Sequence, residues 1–132
     1  MSEAVPEALQ VDVTPAGPGP ALVVLAGEMD IVSAGAFTES MTELDSSVPD
    51  ALVIDVGGLT FIDSSGISAL VQAARNVEAR GGRAVIAAPA GHVQRVFDIT
   101  GVGDVVTITT DRNEALRLAA EHSQPGAVAD EA

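Results

Sequence analysis

The apolar positions of this chain change their period several times, and each change marks an element. Leu9-Gln10-Val11-Asp12-Val13 alternates apolar and polar, the period-two pattern of a half-buried strand. Thr14-Pro15-Ala16-Gly17-Pro18-Gly19-Pro20 reads as a loop, because Pro and Gly interrupt regular structure throughout it. Ala21 to Ala26 is uninterrupted apolar sequence, as in a strand covered on both faces, and Gly27-Glu28-Met29-Asp30 ends it. The turn between these two strands predicts that they pair antiparallel. Ser33 then fits a helix cap, followed by Ala34, Phe37, Met41 and Leu44 at helical spacing. Ser46-Ser47-Val48-Pro49-Asp50 stops that helix.

The alternation then repeats. Leu52-Val53-Ile54 predicts a strand that ends in Asp55 and a turn at Gly57-Gly58. After Phe61-Ile62-Asp63-Ser64-Ser65-Gly66, a helical stripe follows at Ile67, Leu70, Val71, Ala74 and Val77, closed by Gly81-Gly82. Arg83 to Ala87 is a further strand. Pro89-Ala90-Gly91 opens a short helix with Val93, Val96 and Phe97 on one side, closed by Gly101 and Gly103. Val105 to Ile108 is the last strand, and Asp111 and Glu114 have capping-box spacing before a final helix to about Ala120.

The predicted order is β β α β α β α β α. Strands that alternate with helices require crossovers, so the fold class is α/β: about five strands, mostly parallel, one antiparallel strand at the N-terminus, and about four helices. The domain spans 9–120, with a flexible N-terminus at 1–8 and a disordered tail at 121–132, where large apolar residues are few. Ligands of such sheets collect at the carboxyl ends of the strands. Two of these ends hold Asp30, Asp55, Asp63, Ser64 and Ser65.

Composition narrows the picture. With 132 residues and 47% apolar content the chain fills one core, an aliphatic one, since there are three Phe and no Trp or Tyr. The absence of cysteine removes disulfides and thiolate metal sites. No signal peptide is read at Met1 to Gln10, and no apolar run approaches the roughly 20 residues of a membrane span, so a cytoplasmic protein without membrane insertion is expected. The net charge is −13, and it is unevenly spread: residues 1–74 hold eleven acids and no basic residue, and all six basic residues are arginines from Arg75 onward. That surface repels nucleic acid and favours a basic protein partner.

Two serine hydroxyls stand where a loop becomes a helix. The free N–H groups of a first helical turn suit two uses there: Asp63 or Ser64 as a cap, worth roughly 1 kcal/mol, or an exposed hydroxyl carrying a phosphate that the helix dipole tolerates. Enzymatic use of the serine is not expected, because a Gly-x-Ser-x-Gly elbow is absent and the only histidines are His92, given a surface or capping role, and His122 at the start of the tail. No cofactor is expected, as the chain has no lysine and no phosphate-binding Gly-rich loop. Asp30, Asp55 and Asp63 are assigned to capping, turns and partner contact rather than to a metal.

Gly27-Glu28-Met29-Asp30 after the second strand and Asp63-Ser64-Ser65-Gly66-Ile67 after the third resemble the STAS domain of bacterial anti-sigma factor antagonists. Val93-Gln94-Arg95-Val96-Phe97-Asp98-Ile99-Thr100-Gly101 resembles that family's short third helix, and the likeness covers roughly residues 9–120. The resemblance implies a partner-switching protein. It would bind an anti-sigma factor that is also a serine kinase, release the sigma factor, and be switched off by phosphorylation of Ser64, with Ser65 the second choice. A phosphatase of the PP2C type would restore it. Asp30, Asp63, Ser64, Ser65 and Gly66 would form the partner-binding surface of a monomer or weak dimer. The alternative within the family is an adaptor of a stress-signalling or lipid-transport complex whose serine is not phosphorylated.

Overall fold

In a computed structural model, residues 8–14, 19–45 and 50–122 are described. Residues 1–7, most of the expected loop at 14–20, the stop at 46–49 and the expected tail beyond His122 lie outside them. The alternating segment forms β1 (Gln10–Thr14), and the apolar run forms β2 (Ala21–Met29), paired antiparallel with Val11 opposite Leu25. Then follow α1 (Ile31–Asp45), β3 (Ala51–Ile62), α2 (Ser64–Ala79), β4 (Arg83–Ala87), α3 (Gly91–Thr100), a 3₁₀ turn (Val102–Asp104), β5 (Thr107–Thr109) and α4 (Arg112–His122). The sheet order is β1-β2-β3-β4-β5, and every pair after the first is parallel. The expected α/β architecture is present.

The helices divide between the two faces as the side-chain parity of β3 requires. Leu52, Ile54 and Val56 point to one face, where they meet Phe37 of α1, Leu70 and Val77 of α2, and Phe97 of α3. Ala51 and Val53 point to the other, against Ala115 and Ala119 of α4. Small alanines let α4 approach the sheet closely. The predicted stripe of α1 is the buried one: Ala34, Phe37, Met41 and Leu44 are all at most 7% exposed. In α2 the stripe holds Leu70, Ala74 and Val77, with Ile67 and Val71 half-buried at its margin.

Three boundaries differ from the sequence reading. The pair Gly57-Gly58 is not a turn, and β3 runs on to Ile62. Asp55 pairs with Val24 but Gly58 with Ala26, and Gly27 pairs with Leu59 but Glu28 with Phe61, so β3 carries an extra residue at each of two bulges. Glycine permits this: a Cβ on Gly58 would stand 2.9 Å from the Leu25 carbonyl oxygen. Asp55 Oδ1 accepts the Gly57 N–H at 2.8 Å and holds the first bulge. Apolar periodicity stops at such a place although the strand does not. Second, β5 starts at Thr107 because the chain first winds through the 3₁₀ turn, which leaves Val105 exposed. Third, α1 begins two residues before Ser33, for reasons that belong to the site.

At the far end of α2, Gly81 and Gly82 donate to the Glu78 and Val77 carbonyls, and Gly81 takes φ 89°, the left-handed conformation that favours glycine. Among the described residues no helix is long and apolar enough to cross a membrane.

Candidate functional site

Strands β2 and β3 are parallel neighbours, so their carboxyl ends lie side by side. Met29 pairs with Ile62, and the Asp63 N–H donates to the Met29 carbonyl at 3.2 Å. The next residues of the two strands, Asp30 and Asp63, are therefore held at one edge, and each opens a helix.

Asp63 is the cap of α2. Its backbone is extended (φ −114°, ψ −172°), and its Oδ1 accepts the N–H groups of Ser65 at 3.0 Å and Gly66 at 3.1 Å. Of the two residues open to this role, it is the aspartate that fills it. Ser64 is consequently the first helical residue, exposed, and its hydroxyl engages no hydrogen bond among the described residues. Ser65 is half-buried, with its N–H consumed by the cap. Gly66 is buried against the end of β2. A Cβ there would come within 2.7 Å of Ile62 Cγ1 and 3.0 Å of the Met29 carbonyl oxygen. The glycine sets how closely the helix start, and Ser64 with it, approaches the sheet.

Asp30 does the same work for α1. Its Oδ1 accepts the N–H of Val32 at 3.2 Å and of Ser33 at 3.0 Å. Ser33, expected to be the cap, is the third helical residue and closes a reciprocal capping box: its Oγ accepts the Asp30 N–H at 2.9 Å and lies 3.0 Å from Asp30 Oδ1. The Ser33 amide, and after it the Ser33 hydroxyl, hold the Asp30 carboxyl below the ordinary 3.8. A depressed folded pKa contributes stability that is present above the unfolded value and lost as pH falls through the folded one. Removing the hydroxyl in Ser33→Ala is expected to move the Asp30 pKa back up toward 3.8, read by carboxyl-carbon NMR titration. The stability gap between variant and wild type should narrow as pH drops below about 4.

Asp55, grouped by sequence with this edge, is not part of it. It is 6% exposed on the α4 face of β3, where Arg112 Nε donates to its Oδ2 at 2.7 Å. Its parity on the strand, odd like Val53, carries it to the opposite side from α1 and α2. The three aspartates therefore do not converge, and among the described residues no three acidic or histidine side chains group as a metal site.

Three residues at or near this edge, Ile31, Val32 and Phe61, are given no role by the sequence. A fourth, His92, expected at the surface or as a cap, is exposed but caps nothing, since Ala90 is the cap of α3 and has no side-chain hydrogen bond. Ile31 and Val32, the first turn of α1, are 72% and 81% exposed. Phe61, 37% exposed at the end of β3, stacks on His92 at the start of α3, with ring centroids 5.4 Å apart and planes within 6°. For Ile31-Val32 a signal was available: two apolar residues stand between an acidic cap and the buried stripe. For Phe61 and His92 there was none, because they are distant in sequence and meet only when α3 packs on β3.

The STAS domain family model matches residues 13–115, most of the described fold. The chain belongs to the STAS domain family. It is 31% identical over 87 residues to the anti-sigma-B factor antagonist of Bacillus subtilis, covering 66% of this chain and 79% of that one. Among solved structures it superimposes on an anti-sigma factor antagonist from Mycobacterium paratuberculosis with a TM-score of 0.78 at 23% identity, over 87% of this chain and 97% of the other. It also matches the Bacillus cell fate determinant SpoIIAA in its phosphorylated form, with a TM-score of 0.63 at 20% identity over 83% and 99% of the two chains. The first two are named as anti-sigma factor antagonists, as is SpoIIAA in its unphosphorylated form, and the fold is theirs as well as this chain's.

Proposed function

We propose that this chain is an anti-sigma factor antagonist. It binds an anti-sigma factor with serine kinase activity through the edge that holds Asp30, Asp63, Ser64, Ser65 and Gly66, which frees the sigma factor. Phosphorylation of Ser64 ends the binding, and a PP2C-type phosphatase restores it. The observation that carries the reading is the division of labour at the start of α2. Asp63 does all the capping, so the neighbouring hydroxyl is exposed and has no structural task.

The physics of a switch follows from the same geometry. A phosphate adds about −1.5 to −2 charges and three acceptor oxygens. At the first residue of a helix the dipole favours an anion even though the Ser65 and Gly66 N–H groups are taken by Asp63, so the fold tolerates the modification. Residues 1–74 supply no arginine or lysine to draw the group inward, and Asp30 and Asp63 share the edge. The new charge adds to these carboxylates at an exposed position, where a docking partner would meet it. The chain acts here as a substrate and ligand rather than as a catalyst.

Intact mass and peptide mapping of the protein purified from its own host test this reading. A fraction heavier by one phosphoryl group, mapped to Ser64, is the expected result. Phosphate on Ser65 instead would move the acceptor by one residue. No phosphorylated form under any growth condition, together with stable capture in a scaffold or transport complex, would replace the switch by the adaptor role.

A further inference from the structure

The buried stripe of α1 stops at Ala34, which is 7% exposed, while Ile31, one turn earlier, is 72% exposed and Val32 81%. Folding does not explain either side chain. The apolar contact that often fixes a helix entry joins the residue before the cap to the fourth helical residue, here Met29 and Ala34, both already buried. A first helical turn favours acidic residues through the dipole, and β-branched residues are weak helix formers. Two exposed β-branched residues directly after the cap thus run against both preferences.

Their position supplies a reason. They follow Asp30, which shares the strand-end edge with Asp63 and Ser64, and are thus continuous with the docking edge assigned above. Acidic residues mark the edge: Glu28, Asp30 and Asp63 lie at the two strand ends, and no basic residue precedes Arg75 in the chain. A partner that covers this edge must bring cationic groups to the carboxylates and an apolar surface to the two side chains.

We propose that Ile31 and Val32 form an apolar anchor that seats in a hydrophobic pocket of the anti-sigma kinase, rimmed by arginine or lysine side chains, and that this anchor sets which kinase the chain accepts. The proposal rests on the docking function given above. A few fully desolvated side chains seated in pockets near the centre of an interface, ringed by contacts that exclude water, carry most of its energy. Phosphate on Ser64 would then act on a contact whose strength is set one element away, on α1.

The test titrates purified histidine-kinase-like anti-sigma factors of the host, one at a time, by calorimetry against wild type, Ile31→Ser/Val32→Ser, Val32→Glu, Ile99→Ser and Ser64→Asp. Ile99 is the control: it is 81% exposed, but α3 runs back from the strand ends, so Ile99 lies toward the opposite end of the sheet. The anchor requires binding at least about tenfold weaker for the double variant and for Val32→Glu, with melting temperatures unchanged and Ile99→Ser like wild type. Val32→Glu guards against a folding artefact, because a first turn favours glutamate. Affinity of the double variant within about twofold of wild type, while Ser64→Asp is weakened, overturns the anchor and leaves the docking function standing. Equal losses in the double variant and Ile99→Ser overturn it as well. Failure of the wild-type chain to bind any of the kinases removes the docking function and the anchor with it.

Discussion

Ser64→Asp is expected to bind the anti-sigma kinase roughly a hundredfold more weakly than the wild-type chain, a loss of about 3 kcal/mol, while Ser64→Ala binds as wild type and cannot be phosphorylated. The size follows from where the charge is placed. A carboxylate on the first residue of α2 meets a helix dipole that stabilises it by about 0.3–1 kcal/mol while the surface is exposed to water. On docking, the water leaves, Asp63 remains committed to its two amides, and an unpaired buried charge at an interface costs about 2–5 kcal/mol. The second effect exceeds the first, so binding falls although the fold does not weaken. Melting curves of Ser64→Asp should match or slightly exceed those of wild type. Equal affinities of Ser64→Asp and wild type would remove the electrostatic switch. A large drop in melting temperature would mean that the charge acts on the fold instead.

Gly66→Val is expected to cost about 3 kcal/mol of stability, or roughly 15 °C in melting temperature for a domain of this size. Its helical conformation is ordinary, so backbone strain is not the cause. The obstacle is space: a Cβ would stand 2.7 Å from Ile62 Cγ1 and 3.0 Å from both Met29 Cγ and the Met29 carbonyl oxygen. The oxygen cannot retreat without lengthening the bond from Asp63 N–H that ties β2 to the start of α2. Helix propensity pulls the other way by about 1 kcal/mol for alanine, which makes Gly66→Ala the milder change. Gly35 provides the contrast. It sits in α1 with no neighbour within 4 Å of an added Cβ, so Gly35→Ala should stabilise by up to about 1 kcal/mol. Unfolding free energies of the two alanine variants from denaturant titration should therefore move in opposite directions or differ by more than about 1 kcal/mol. If they move together, propensity outweighs packing at Gly66.

The two glycine positions look alike as sequence. Each stands in a helical segment near serines, and only the approach of β2 separates a required glycine from a dispensable one. The same limit applies to the aspartates. Asp30, Asp55 and Asp63 all follow or end apolar runs, which is why the sequence groups them. Parity along β3 sends Asp55 to Arg112 on the other face. The sequence suggests Ser33 as a cap because serine suits that position and the buried stripe begins directly after it. The actual helix starts earlier, with Asp30 as cap and Ser33 as its reciprocal partner.

The element order, the antiparallel first pair, the buried stripes of α1 and α2, and the arrival of Ser64 at a helix start were all determined by the sequence alone. Each depends on periodicity, capping chemistry or chain breakers within a dozen residues, and local physics is legible in a linear pattern. Tertiary structure alone decided which carboxylate caps and which pairs with an arginine, that β3 bulges instead of turning, that Phe61 meets His92, and that Ile31 and Val32 remain uncovered. Those outcomes are set by how far one element extends past its neighbour and which face a side chain reaches. A shift of one residue in a strand reverses that face, and composition carries no record of the shift.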